Sequence, residues 1–431
     1  MAILCLIPLR LFWARAGTPD RRLGPHTAVH FLFAAYAFWI FSYTLTTAPL
    51  SNLISYDFLR FNGAIFVGYL PLLLFSDVGL SSRAAYRLVW IYLGILTGVA
   101  VLSAGLLLLA SGHMPFLRSS LLGKLLSFES GHEMPIMLLG LYRTHMAAGN
   151  QYAMAALVAL CFMLLKKNPR IVSWTSLVFI NLIAAMILSG ARTAYVAFSA
   201  AFLIQFAWKK RYFKPLVRIG ALILVPTLLF FLSQPDILNR ATTIIHFEGK
   251  DNVEGRFELY QMAWKDYSES PLIGIGFGRF SEIGKTYFGL RHLVYIATDG
   301  KTFDADESPY RAHNSYLQFL AEGGLVGLFL MLGVWTTTYS WVVRMRKRLR
   351  DGSQAAALCE AVQACVLVTF FSSFTGTSMM TATTPLFVFT LVGLLRNVLS
   401  SDCRAQIAMS VSRFSGRVTP VVIPLATPKT I

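Results

Sequence analysis

The chain is short of charged residues and of cysteine. Only 14% of its 431 residues are charged, whereas soluble domains average about 25%. Its 5 cysteines include no CxxC pair and no Cys/His metal spacing. The shortage of charge excludes an ordinary soluble domain. The cysteine pattern excludes a disulfide scaffold and a zinc-finger type of site. No Walker motif is present, which argues against an ATP-driven pump.

Long apolar runs make up most of the sequence. The chain is 55% hydrophobic, and its recurring runs of about 20 apolar residues can each cross a bilayer core of about 30 Å. Helices and closed barrels alone satisfy the backbone in lipid, and these runs are too long for barrel strands. The sequence therefore predicts an all-α, polytopic membrane helix bundle of about 10–12 transmembrane helices. Ten spans are placed at 27–47, 61–79, 86–112, 148–166, 171–189, 193–208, 216–233, 317–343, 356–376 and 381–399.

These spans divide the chain into segments without a soluble domain. We expect a cytoplasmic or interfacial N-terminus (1–26), transmembrane helices 1–7 (27–233), a long periplasmic loop (234–313), transmembrane helices 8–10 (314–399) and a disordered cytoplasmic tail (400–431). Met1–Trp13 is interpreted as an interfacial stretch, and a short extra span is the alternative. Within the long loop, Phe257–Tyr267 is predicted to be helical, with Leu259, Met262 and Ala263 on one face.

The formal net charge of +17 indicates topology. Lys/Arg clusters follow alternate spans, while the short loops on the other side contain almost none, so both termini are predicted to be cytoplasmic. The same clusters favour anionic membrane lipid. Nucleic acid is not an expected partner.

Three basic residues from distant parts of the sequence fall on the predicted outer side. Arg192 separates two closely spaced spans and could hold a phosphate through two parallel hydrogen bonds, or simply point to lipid headgroups. Arg256, in the long loop, could pair with Glu254 or Glu258 instead of a ligand. His313 could act as a base on a sugar hydroxyl, or be only a residue at a helix start that Asn314 caps.

Two glycine patterns accompany His313. Residues 312–327 read AHNSYLQFLAEGGLVG, with nine residues between Asn314 and Gly324. Residues 271–280 read PLIGIGFGRF, which does not match a dinucleotide-binding GxGxxG and is interpreted as a tight apolar turn. Arg279 of this turn is a secondary ligand candidate. Gly323 and Gly327 form a GxxxG pair, which predicts close helix packing.

Together these motifs resemble the O-antigen ligase and Wzy-type polysaccharide polymerase superfamily, over roughly residues 170–400. The resemblance rests on His-Asn-x9-Gly-x-x-Gly, the upstream GxGxGxF turn and the Ser-Gly-x-Arg that ends at Arg192. It implies a GT-C-like fold and catalytic roles for Arg192, Arg256 and His313, with Arg240 and Arg279 competing for the second place. Asn314 and Glu258 are further substrate-binding candidates, Glu258 also as a substitute base.

The resemblance implies an inner-membrane glycosyltransferase with a periplasmic active site that needs no metal or cofactor. Its donor would be a glycan on undecaprenyl diphosphate, and transfer would invert the anomeric centre. In an O-antigen ligase the acceptor is a lipid A-core sugar, as in lipopolysaccharide biosynthesis. In the alternative, an O-antigen or exopolysaccharide polymerase, it is a second lipid-linked glycan. A flippase or transporter of lipid-linked sugar is the alternative from another class, but no inverted repeat supports it.

Overall fold

The computed structural model describes most of the predicted membrane domain. The described residues are 25–47, 56–77, 80–112, 128–129, 137–138, 144–165, 169–207, 250–280, 295–296, 302–303 and 311–415. The predicted span 216–233, Met1–Trp13 and Arg240 lie outside them.

Within these ranges the fold is an all-helical bundle. Its helices are α1 Pro25–Thr47, α2 Tyr56–Asp77, α3 Ser82–Gly112, α4 His145–Leu165, α5 Pro169–Leu188, α6 Arg192–Phe202, α7 Lys250–Glu269, α8 Ser315–Arg348, α9 Gln354–Ser372 and α10 Thr383–Ser415. The π-helical turn Leu203–Ala207 continues α6. Two antiparallel pairs of two-residue strands complete the structure: β1 Phe128–Glu129 with β2 Met137–Leu138, and β3 Tyr295–Ile296 with β4 Thr302–Phe303.

Five helical stretches among the described residues are long and apolar enough to cross a membrane. They are Ser82–Gly105, His145–Leu164, Ser315–Arg348, Gln354–Ser372 and Thr383–Ser400. Shorter apolar stretches lie in α1, α2 and α5. The protein is therefore a polytopic membrane helix bundle, as predicted, while the number of spans beyond these five stays a prediction.

The centre of the bundle is formed by α4 and α9. Every residue from Tyr152 to Phe162 is buried, as is every residue from Ala355 to Val366. Both helices are rich in alanine, whose small side chains let helix backbones approach closely where lipid supplies no hydrophobic driving force. A helix that is apolar on all faces belongs in the interior, and α4 and α9 occupy this position.

Two predictions about segments outside the spans have different outcomes. The helix predicted at Phe257–Tyr267 is confirmed within α7, and Leu259, Met262 and Ala263 are buried on its inner face. The disordered tail predicted from residue 400 is wrong for its first part, because α10 continues to Ser415. The mixed polar and apolar residues 401–415 still form helical hydrogen bonds, so the loss of hydropathy does not end the helix.

The glycine turn and α8 are joined backbone to backbone. Helix α8 is interrupted at Gly324, where φ is 61° and ψ is −163°. Carbonyl groups freed by this interruption accept hydrogen bonds from the turn: Ile275 N–H donates to Ala321 O over 2.8 Å, and Gly276 N–H donates to Glu322 O over 3.0 Å. In return Leu325 N–H donates to Pro271 O over 2.9 Å. The turn thus satisfies backbone groups that a kink would otherwise leave unpaired.

Candidate functional site

The candidate site lies where α5 and α9 end and α4, α6, α8 and α10 begin, which we call the site end. Its central element is the Ser/Thr loop, residues 373–382 between α9 and α10. The N–H of Ser315, the first residue of α8, lies 2.9 Å from Ser373 O and 3.0 Å from Gly376 O. Its hydroxyl also donates to Gly376 O over 3.0 Å. The start of α8 is therefore fixed on the Ser/Thr loop immediately after His313 and Asn314.

The Ser/Thr loop also contacts α4, which contacts the turn that carries Arg192. Asn150 Nδ2 donates to Ser378 Oγ over 3.0 Å. A Cβ added to Gly149 would lie 2.5 Å from Ala191 Cβ and 2.8 Å from Ser189 Oγ, so this turn packs directly on α4. A continuous set of contacts thereby joins the start of α6 to the start of α8. Arg192 itself is exposed, at the first position of α6.

His313 has an unusual backbone conformation. Its φ is 49°, the only positive value at a non-glycine residue among those described. Left-handed backbone is uncommon for residues with a Cβ, and such outliers cluster at functional sites. Here the conformation turns the chain sharply between Ala312, which is buried, and the N-terminus of α8. The imidazole is thus held at a helix start by backbone that is fixed on both sides.

The charge state of His313 is set by burial and by two arginines. Burial, and after it the charges of the Arg256 and Arg311 guanidinium groups, together lower the pKa of the imidazole to about 4. Both effects disfavour a positive charge on the imidazole. His313 is therefore a neutral imidazole at physiological pH, which is the form that accepts a proton or a hydrogen bond.

Two arginines therefore lie near the imidazole. Arg256 is a partly buried residue of α7 that was predicted from the sequence. Arg311 was not among the predicted site residues. It is partly buried, and its Nη1 donates to Thr377 Oγ1 of the Ser/Thr loop over 3.3 Å. The structure thus brings Arg256 and His313 together and adds Arg311 to them.

The secondary candidates are placed less centrally. Arg279 is exposed, and its Nη1 donates to Ile275 O within its own turn over 3.3 Å. Glu258 is exposed on α7. Asn314 is the N-cap of α8, where its Oδ1 accepts from Tyr316 N–H over 3.0 Å and from Leu317 N–H over 3.1 Å. Capping by Asn314 was the simpler alternative from the sequence, and any ligand contact by these three residues stays a prediction.

The GxxxG pair of α8 seats an aromatic ring. A Cβ at Gly323 would lie 2.6 Å from Phe277 Cζ, and one at Gly327 would lie 3.2 Å from it. Phe277 lies between the second and third glycines of the GxGxGxF turn. The closest packing at these glycines is against a ring of the turn, whereas close packing against another helix was predicted. The ring's other neighbours include Tyr36 of α1 at a centroid distance of 5.9 Å.

A carboxyl group is buried beneath the site. Glu322 is 1% exposed and lies against the backbone N–H groups of Gly278 and Phe280. Gln318 Nε2 lies 3.5 Å from Glu322 Oε1, at the limit of a hydrogen bond. The charge of Arg311 also acts on this carboxyl group. The charge of Arg311 thus acts both on a buried acid of α8 and on the imidazole of His313.

Sequence reasoning missed Arg311, Thr377 and Glu322. A signal existed for the first, because Arg311 stands two residues before His313. For Thr377 the signal was the run SSFTGTSMMTATT at 372–384, which is too polar to continue a span. Glu322 is an isolated acid within an apolar run, and such residues in membrane helices are functional candidates.

Across the part of the chain that the structure describes, no group of three or more His, Cys, Asp or Glu residues is arranged to hold a metal ion. The polar groups that converge at the site end are instead guanidinium, imidazole and hydroxyl groups. Such groups suit an anionic ligand that carries sugar hydroxyls.

Comparison with known proteins agrees with the motifs. Residues 177–332 match a family model described as O-antigen ligase. The matched segment begins in α5, ends in α8 and includes Arg192, Arg256 and His313. The predicted resemblance to the O-antigen ligase and polysaccharide polymerase superfamily is therefore confirmed. A comparison with curated proteins finds no match.

Proposed function

From the match of residues 177–332 to the O-antigen ligase family model, we propose that this membrane protein is a glycosyltransferase of the bacterial inner membrane. It transfers a glycan from undecaprenyl diphosphate to a sugar hydroxyl on the periplasmic face, in the manner of an O-antigen ligase. The description of the matched family favours a lipid A-core sugar as the acceptor over a second lipid-linked glycan.

The observation that supports this proposal is the position of His313, which is held by a left-handed backbone at the fixed start of α8 near the guanidinium groups of Arg256 and Arg311. Transfer from a diphosphate requires cationic groups for the departing anion and a neutral acceptor for a proton. Arg256 and His313 supply these functions within reach of each other's charge. A flippase needs to bind the diphosphate but has no use for a base beside it.

In the proposed step the acceptor hydroxyl attacks the anomeric carbon of the donor sugar. A carbon–oxygen bond forms there, and the bond between that carbon and the phosphate oxygen breaks. The electron pair leaves with undecaprenyl diphosphate, and the hydroxyl proton passes to His313. In-line attack inverts the anomeric centre. A positioned base typically contributes about a hundredfold or more to such a reaction.

Arg192 and Arg256 stabilise the charge that grows on the diphosphate. Preorganised charge of this kind contributes about 3–4 kcal/mol per group to lowering the barrier. No metal is needed where guanidinium groups fill this role. Because the polyprenyl tail stays in lipid, the exposed position of Arg192 at the start of α6 suits a donor that arrives from the bilayer.

Purified variants, supplied with donor and acceptor, test this proposal. We expect Arg192→Ala and Arg256→Ala to lose transfer, and Arg192→Lys to be severely impaired because a point charge cannot replace a planar fork on a diphosphate. His313→Ala should lose transfer while it still binds donor. Normal turnover of His313→Ala would disprove the base role. Loss of activity with EDTA that magnesium restores would contradict the metal-free mechanism.

The acceptor is tested with the wild-type protein alone. Lipid A-core and a second lipid-linked repeat are offered separately with the same donor, and the products are sized. Glycan on lipid A-core supports the ligase. A series of longer lipid-linked glycans, with lipid A-core unmodified, would show that the protein is a polymerase and not a ligase.

A further inference from the structure

Arg311 is positioned by contacts at both ends of a short segment. Its guanidinium donates to Thr377 Oγ1 over 3.3 Å, and four residues later Ser315 is hydrogen-bonded to Ser373 O and Gly376 O. Residues 311–315 are therefore fixed on the Ser/Thr loop at each end. The left-handed backbone of His313 lies between these two attachments.

The surroundings of Arg311 are asymmetric in charge. Its charge acts on the imidazole of His313, where Arg256 acts as well. It also acts on the buried carboxyl group of Glu322. Two guanidinium groups of the described site thus act on one imidazole. An anionic ligand is what such an arrangement attracts.

We propose that Arg311 is a further binding residue for the donor, and that it contacts the diphosphate together with Arg256, beside His313. This inference rests on the proposed function. Thr377 is the positioning residue, since its hydroxyl holds the guanidinium of Arg311. Arg279, which competed with Arg256 in the sequence prediction, is less suited to this role, because it is exposed and its guanidinium donates to Ile275 O within its own turn.

Two cations near one imidazole have a chemical consequence. The leaving diphosphate gains negative charge as its bond to the sugar breaks, and guanidinium groups beside the base neutralise that charge where it forms. The acceptor hydroxyl, which must reach His313, is thereby directed to the same point. Binding of the leaving group and activation of the nucleophile are thus coupled through three neighbouring side chains.

The experiment measures binding without depending on the identity of the glycan. Full-length protein in lipid nanodiscs is titrated with undecaprenyl diphosphate, with inorganic pyrophosphate and with undecaprenyl monophosphate. We expect Arg311→Gln to weaken binding of undecaprenyl diphosphate about ten- to a hundredfold, the effect of losing a charged hydrogen bond. Arg344→Gln is the matched control, since Arg344 is an exposed residue of α8 that donates to Ser340 O over 3.2 Å.

Variants of Thr377 and Glu322 separate ligand binding from a structural role. Thr377→Val, which keeps the shape but loses the hydroxyl, should weaken binding, and Thr377→Ser should recover most of the loss. If Arg311 only balances the charge of Glu322, then Glu322→Gln combined with Arg311→Gln will restore binding. Restored binding would overturn the inference, whereas binding that stays weak supports it.

The binding measurements distinguish an error in the proposed function from an error in the role of Arg311. Wild-type protein that neither binds undecaprenyl diphosphate nor transfers glycan would overturn the proposed function itself. If wild-type protein binds and Arg256→Gln weakens binding, but Arg311→Gln behaves as Arg344→Gln does, only the role of Arg311 is wrong. Tight binding of the monophosphate, equally weakened by Arg311→Gln, would likewise overturn contact with the diphosphate as a whole.

Discussion

Gly274 and Gly324 lie against each other, backbone to backbone. A Cβ on Gly274 would lie 2.5 Å from the backbone nitrogen of Gly324 and from the carbonyl carbon of Glu322. Both glycines have positive φ, 73° and 61°. This contact joins the turn after α7 to the interruption of α8, and so it sets the position of α7, which carries Arg256, relative to the helix that follows His313.

The first prediction follows from this contact. Gly324→Ala should destabilise the protein by at least about 1–3 kcal/mol, because its φ and ψ are essentially accessible only to glycine. Transfer should be lost with it. Gly98→Ala is the control, since nothing lies within 4 Å of a Cβ there. Thermal unfolding in detergent measures both, and a Gly324→Ala protein as stable as wild type would contradict the close contact.

The second prediction separates the backbone of His313 from its chemistry. Asparagine tolerates left-handed backbone better than most residues, so His313→Asn should fold with about wild-type stability and yet lose transfer. His313→Gly should also be inactive, with its backbone strain relieved. Unfolding temperatures and transfer rates are compared. An active His313→Asn variant would show that residue 313 is needed only for the conformation of the turn.

The third prediction concerns the pH dependence of transfer. His313 has its pKa lowered to about 4 by burial and by Arg256 and Arg311, so kcat/KM, which reports the free enzyme, should stay constant from neutral pH down to well below 6.5. A bound diphosphate neutralises both arginines, so kcat should fall at a higher pH than kcat/KM does. Arg311→Gln should move the fall of kcat/KM toward 6.5. Identical profiles for kcat and kcat/KM would argue against an anion beside His313.

The fourth prediction concerns Asp266, a buried acid of α7. Burial raises its pKa from 3.8 to about 6, with Glu269 adding to the rise and Lys265 opposing it. Stability increases with pH only where the unfolded chain binds more protons. Here the folded chain binds more between about pH 4 and 6, so this residue makes stability fall as pH rises through that window. Asp266→Asn should raise the unfolding temperature at pH 7 and leave it unchanged at pH 4.

A control supports the interpretation of Asp266. Glu258→Gln changes an exposed acid on the same helix and should leave the unfolding temperature unchanged at both pH values. A destabilised Asp266→Asn protein at pH 7 would show that the ionised carboxylate is needed, which would direct attention to a ligand or partner at this position.

The fifth prediction concerns orientation in the membrane. The Lys/Arg distribution predicts that reporter fusions at Lys210, Arg348 and Ser401 are cytoplasmic, and that fusions at Lys250 and Thr302 are periplasmic. A cytoplasmic signal from Lys250 or Thr302 would place the candidate site on the wrong side for a periplasmic transferase.

The sequence by itself determined the class of the fold and the resemblance to a family. Hydropathy depends on composition over a window of about 20 residues, so helices such as α4 and α9 were found without knowledge of their neighbours. The motif around His313 was visible because its residues are adjacent in sequence. Their spacing also carried the resemblance that the match to residues 177–332 confirmed.

The tertiary structure alone decided which charged groups meet. Arg311 acquires a role from Thr377, which is 66 positions away, and no local pattern encodes such a contact. The contact of Phe277 with Gly323 and Gly327 could not be predicted from the sequence either. A GxxxG pair provides a flat surface without side chains, but it does not specify which residue packs on it. Local propensities determine where helices form. The pKa of His313 depends on long-range packing, because its burial and the charges near it exist only once distant segments are brought together.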